Sequence, residues 1–145
     1  MSTRKSIRDN IVTRLKANSP VAALVGTRVE VGRANVTEST TWPRIYLYTE
    51  REEIVNDTLS VARQQHRRMT ILVDFYTKET TAPIDDQFDT AADAIGAAIT
   101  ADTTCGGFCE DTLLTSVDYV MDGTEETKFG VVRLSLTIIY FTRES

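Results

Sequence analysis

Cys105 and Cys109 enclose Gly-Gly-Phe and are the only thiols in the chain. Redox dithiols use the closer C-x-x-C spacing, and tetrahedral zinc needs a second Cys/His pair. Neither pattern is present, so the spacing predicts two small, buried, reduced residues in a turn, able to form a disulfide on oxidation. His66 is the only histidine. Any Ser-His-Asp or Cys-His arrangement would have to use it. It stands beside Gln64, Gln65, Arg67 and Arg68, a solvated and basic setting that does not favour nucleophile activation.

Two acidic groups and one basic group remain. Asp85, Asp89 and Asp93 follow at i, i+4 and i+8. On a helix they share one face, where like charges cost a few tenths of a kcal/mol per pair. The dipole at a helix N-terminus accounts for acids at 85 and 86, but not for Asp93. Three uses stay open: a solvated face, a dock for a basic surface, or a divalent cation, although hard cations draw their oxygens from shaped loops. Asp118, Asp122, Glu125 and Glu126 gather around a hairpin. Paired carboxylates can do acid–base work or cleave glycosides, but nothing in the sequence shows a pocket around them, and a wet turn is the better reading. Arg63, His66, Arg67 and Arg68 form the densest basic group. They could contact phosphate or the acidic face of a neighbouring copy, and the row Asp85–Asp93 is the natural complement. No glycine-rich phosphate loop occurs. The residues therefore predict no catalytic, cofactor-binding or metal site. They predict a subunit interface built from these acidic and basic groups.

The charge map explains why association is the better expectation. Residues 79–127 hold twelve acids and no Lys or Arg, whereas residues 1–78 hold thirteen bases against eight acids. A net charge of −5 thus hides segments of about +5, −12 and +2. Fields divided in this way favour docking on charged surfaces, other copies of the same chain included. The acidic balance argues against a duplex-DNA gripper, which needs a basic stripe to displace counterions. DNA could still pass nearby without being held.

At 145 residues the chain has the length of one ordinary domain. A domain of that size buries about 68–70% of its unfolded surface and needs no metal or disulfide staple. The hydrophobic share of 41% is too high for a disordered chain. The first residues lack the apolar core of a signal peptide, and no run approaches the ~18 apolar residues of a membrane span. Both points predict a protein kept in a cytosol, with no membrane partner.

Certain elements must position these groups. Ile7, Ile11, Val12 and Leu15 predict a helix over 3–17, stopped by Asn18-Ser19-Pro20, with a further turn at 21–25 ended by Gly26. Residues 27–31 predict a short strand, 33–41 a loop, and 44–50 a strand with Ile45, Leu47 and Thr49 inward. Residues 51–65 predict a projecting arm or long hairpin. Residues 67–77 alternate as a strand, with Met69, Ile71, Val73 and Phe75 on one face. Residues 84–101 carry the helical stripe Phe88, Ala91, Ala92, Ile95, Ala98 and Ile99. Residues 112–121 and 128–141 predict an antiparallel pair turned at Asp122-Gly123, with Val132, Leu134, Leu136, Ile138 and Tyr140 inward. The order predicts an α+β fold, a mostly antiparallel or mixed β-sheet with two main α-helices packed on one face.

That order of elements resembles a family. Arg4-Lys5-Ser6-Ile7-Arg8-Asp9-Asn10-Ile11-Val12 leads into a short Gly-Thr-Arg-Val-Glu-Val strand. Trp42-Pro43-Arg44-Ile45-Tyr46-Leu47-Tyr48-Thr49 starts a second strand, followed by Glu50, Glu52 and Glu53. Arg68-Met69-Thr70-Ile71-Leu72-Val73-Asp74-Phe75-Tyr76 precedes the Asp-rich helix, and Leu134-Ser135-Leu136-Thr137-Ile138-Ile139-Tyr140-Phe141 closes the chain. Together they resemble the tail terminator proteins of long, non-contractile-tailed bacteriophages, the lambda minor tail protein U-like group of neck and tail-completion proteins. The likeness spans nearly all of residues 1–145 and lies in the pattern of elements, not in any one motif. It implies a structural virion protein without catalysis. Such a protein forms a hexameric ring on the tail tube, ends tube polymerisation and offers a surface for head–tail joining. Its implied partners are other copies of itself, the tail tube protein and a head–tail connector, with DNA passing through the ring unbound. It implies assembly in the host cytoplasm and residence in the virion. Another connector or tail-completion protein, or a small host enzyme or regulator of α+β fold, would share the same element order.

Overall fold

Ile7, Ile11 and Leu15 are fully buried on one stripe of α1 (Thr3–Ala17), as their i, i+4 spacing requires. The computed structural model describes residues 3–32, 43–56, 64–78, 84–123 and 128–143. Asn18 does more than stop α1. Its N–H bonds back to Arg14, and its side-chain oxygen accepts from the Val21 N–H at 3.1 Å, capping α2 (Ser19–Val25). Gly26 ends α2 at φ 60, where a side chain would be strained.

Five strands follow: β1 (Val29–Val31), β2 (Arg44–Asn56), β3 (Gln64–Lys78), β4 (Asp111–Gly123) and β5 (Lys128–Arg143), with α3 (Ile84–Thr100) between β3 and β4. The sheet order is β1-β2-β3-β5-β4. Only β1 and β2 run parallel. The fold is α+β, with three helices and a five-stranded mixed sheet among the described residues. β2 and β3 extend well past the predicted strand at 44–50. They pair through Val55↔His66 and Asn56↔Gln65, so much of the predicted arm is regular ladder. Asp122 and Gly123 also pair, with Phe129 and Lys128, so the predicted turn there belongs to β4. Residues 33–41 and 57–63 lie outside the described residues, as do 124–127.

The core joins Ile7, Ile11 and Leu15 of α1, Phe88 and Ile95 of α3, and the inward rows of β2, β3 and β5 in one cluster. Each fully buried Ile, Leu or Phe contributes about 1.5–3 kcal/mol relative to exposure. The opposite sheet face is not simply wet. Tyr46, Tyr48, Leu72 and Asp74 are buried there as well.

Two irregularities change which face later residues occupy. Thr49 pairs with Ile71 but Arg51 pairs with Thr70, so Glu50 is an extra residue in β2. Strand side chains alternate with a period of two, so one insertion turns Glu52 onto the helix side, opposite Met69. In β4, Leu114 pairs with Leu136 and Ser116 with Ser135, leaving Thr115 as the insertion. No helix among the described residues is long and apolar enough to cross a membrane.

Candidate subunit interface

The acidic face of α3 follows from its amphipathic pattern. Ile84, Phe88, Ala91, Ile95, Ala98 and Ile99 turn inward, leaving Asp85, Asp86, Asp89 and Asp93 exposed. Among the described residues no Lys or Arg forms an ion pair with them. The Tyr119 hydroxyl of β4 donates to Asp89 at 3.4 Å, and the Tyr119 ring rests on Phe88 at 5.9 Å. Loss of solvent, then the carboxylates Asp89, Asp93 and Asp85, hold the Tyr119 phenol above its ordinary range.

Strand β4 lies at the sheet edge and exposes Leu113, Leu114, Tyr119 and Val120. An edge strand offers unpaired N–H and C=O groups, and native proteins cover, charge or twist such edges. Leu114 and Tyr119 share the helix side of the sheet with the acidic row, whereas Leu113 and Val120 stand opposite Thr137 and Val131 on the other face. Asp118 is exposed on β4 opposite Arg133. Asp122 sits in β4, and Glu125 and Glu126 lie outside the described residues.

The predicted basic group is divided by strand alternation. Arg63 lies outside the described residues. Arg67 faces the helix side and donates to Glu52 at 2.9 Å. Arg68 is exposed on the other face, where it lines a shallow cleft of about 170 Å³ with Arg51, Glu53, Thr70 and Thr137. Arg51 pairs with Glu53 at 2.8 Å. The His66 ring stacks on Phe141 at 4.3 Å. Among the described residues Arg68 and Arg51 are thus cations displayed outward on β3 and β2, whereas the exposed Ile54 stands opposite Arg67 on the helix side.

Two polar clusters, each centred on a carboxylate largely withdrawn from solvent, were not signalled by the residue pattern. Glu52 accepts from Arg4 at 2.6 Å, from Arg67, and from the Tyr140 hydroxyl. Burial alone would raise its pKa. Hydrogen bonds from Arg4, Tyr140 and Arg67 outweigh burial and hold the carboxyl at about 2. Burial and the adjoining Glu52 push Tyr140 up to about 12. On the opposite face, Asp74 accepts from Arg133 Nε at 2.9 Å, from Arg133 Nη2 at 3.1 Å and from the Tyr48 hydroxyl at 3.2 Å. The hydrogen bond with Asp74 is the main reason the Arg133 guanidinium is held above its usual range. The sequence hints at the second only by setting Asp74 inside the apolar run Ile71–Tyr76, and nothing in it marks the bulge that turns Glu52 inward.

Cys105 and Cys109 are both buried in the turn after α3. Their sulfurs lie 3.5 and 3.6 Å from the Thr112 hydroxyl oxygen. Among the described residues no group of three or more His, Cys, Asp or Glu could hold a metal ion.

No protein-family model and no curated protein matches the chain. Among solved structures it is similar to a chain described as "Virion of native gene transfer agent (GTA) particle", at 15% identity and a TM-score of 0.49. The match covers 89% of this chain and 91% of that one. At that score the likeness adds no weight to any function.

Proposed function

We propose that residues 1–145 form one assembly domain of a structural virion protein, which closes into a hexameric ring on the phage tail tube. The ring ends tube polymerisation and presents the head–tail joining surface. The observation that supports this most is the unlike character of two exposed surfaces on one chain. Asp85, Asp89 and Asp93 form no ion pair among the described residues and lie by Tyr119 of the β4 edge, and Arg68 and Arg51 are exposed on the outer face of β3 and β2. Unlike patches that meet between identical copies form a heterologous contact, which closes into a ring when the rotation allows. The six-fold count, the tube and connector partners, and the absence of catalysis come from the family resemblance.

In this assembly the Asp85–Asp93 face, or the Asp118–Glu126 hairpin, meets the Arg63–Arg68 region of the next copy. Acids left facing the lumen repel phosphates, so DNA slides through without sticking. Native mass spectrometry or negative-stain microscopy of the purified protein, alone and mixed with tail tubes, tests the proposal. Six-fold rings seated on tube ends support it. A monomer that ignores tubes at all concentrations contradicts it.

A further inference from the structure

β4 ends the sheet order, so one of its two edges has no partner strand among the described residues. At 13 residues it is long for an edge. Natural edges are kept short, or carry Lys or Pro, because a bare edge templates the addition of another strand. β4 has neither protection: residues 79–127 contain no Lys or Arg, and residues 111–123 contain no Pro. Its bulge at Thr115 turns back onto β5, where the Thr115 hydroxyl donates to the Ser135 carbonyl at 3.1 Å.

Both faces along this edge display large apolar side chains. Leu114 and Tyr119 on the helix side, and Leu113 and Val120 on the other, are each between 38% and 52% exposed. Helix α3 backs the first pair: Leu114 lies 3.6 Å from where a side chain on Gly96 would begin, and the Tyr119 ring rests on Phe88. A strand laid along β4 sends alternate side chains to the two faces, so one segment covers all four.

Charge selects the occupant. Acids stand on both sides of the edge, Asp89 bonded to Tyr119 on the helix side and Asp118 exposed on the other. A second β4 would set like charges against one another, which is unfavourable across a strand pair. The chain's other open edges are no better suited. β1 presents Glu30, and β2 beyond Leu47, where β1 no longer pairs with it, presents Glu50, Arg51 and Glu53. The basic strand β3 is central, bonded to β2 and β5 along its two edges. No described strand of another copy therefore offers a free, positively charged edge.

We propose that the β4 edge binds an extended segment of a different protein by strand addition. That segment has apolar residues on both faces, and Lys or Arg placed to meet Asp118 on one face and Asp89 on the other. Main-chain hydrogen bonds to β4 supply the affinity, and the bases supply the choice of partner. The site is complete within one chain and does not depend on ring closure.

The probe is a synthetic peptide of valine and threonine interspersed with lysines, about ten residues long, the length of an ordinary strand. It is titrated into the full chain while amide hydrogen exchange is followed by NMR. Binding should saturate, and amides of residues 111–123 that exchange fast in the free chain should slow, with no change in α1. A peptide of equal charge with proline at every second position lacks the donors for a ladder and should not bind. Leu113→Lys with Val120→Lys, both at exposed positions, should remove binding and leave the thermal midpoint unchanged. Asp118→Asn should weaken binding about two- to fivefold, the worth of one exposed ion pair. Equal binding of the proline peptide would mean charge attraction alone and would overturn the proposal. So would the absence of binding, or of new protection in β4 at saturation. Protection of the β4 edge by self-association without peptide would give the edge to another copy and overturn it too. If the double lysine variant fails to fold, the proline peptide and the exchange data decide.

Discussion

Arg67 donates to Glu52 at 2.9 Å inside the chain, whereas Arg68, its neighbour in sequence, is exposed on the opposite face of the sheet. Two adjacent arginines therefore have different work. Arg67 holds β3 to β2 and Arg68 is available to another molecule. Arg68→Glu should reduce the oligomer mass in light scattering and leave the thermal midpoint unchanged. Arg67→Ala should lower stability by about 1.5–3 kcal/mol, the range for a hydrogen bond to a charged group. A lower midpoint for Arg68→Glu, or an unaltered one for Arg67→Ala, would reverse these assignments.

Glu52 links stability to acid. Its carboxyl titrates near 2 in the folded chain, below its ordinary value of 4.5. A depressed carboxylate contributes stability that is fully present above 4.5 and lost as pH falls through 2. The contribution is on the order of 2 kcal/mol once the half-exposed Arg4 partner is discounted. Urea midpoints measured from pH 5 to pH 2 should fall for the wild type and fall less steeply for Glu52→Gln. Parallel curves would remove Glu52 as the cause.

The acidic row should act in opposite directions on fold and assembly. Asp85, Asp89 and Asp93 repel one another along α3 and have no cation among the described residues. Replacing all three with Asn should keep or slightly raise the thermal midpoint of the isolated chain. The same variant should fail to oligomerise. An oligomer of wild-type mass would place the contact elsewhere.

Asp74 and Arg133 should be costly to separate and cheap to replace together. Asp74 is buried and accepts twice from Arg133. Asp74→Ala removes the acceptor of Tyr48 and of a guanidinium that stays partly exposed, and should cost about 1.5–3 kcal/mol. Asp74→Leu with Arg133→Met should recover most of that loss, because an apolar pair of similar volume avoids desolvating two charges. Chemical denaturation of the single and double variants checks both.

The helical elements were the most legible in the sequence. The i, i+4 spacing of Ile7, Ile11 and Leu15 set α1, and the i, i+3, i+7 spacing of Phe88, Ala91 and Ile95 set α3, because burial on a helix leaves a periodic trace. Strand alternation likewise marked Met69 to Phe75 as inward. It failed at Glu52, since an inserted Glu50 shifts the face without changing composition. It placed Tyr46 and Tyr48 on the outer face, but gave no sign of their burial there around the Asp74–Arg133 pair, a contact 59 residues apart in sequence. At the candidate interface, the acid row was readable from one helix. The basic group was not, because alternation sends Arg67 and Arg68 to opposite faces.

Native mass spectrometry of a charge exchange tests the central claim most directly. Asp89→Arg alone and Arg68→Glu alone should each lower the ring population. A chain carrying both changes restores the unlike pair between copies and should recover it. Rings of equal abundance in all three variants, or no recovery in the doubly changed chain while both single variants are impaired, would contradict the association of these two surfaces.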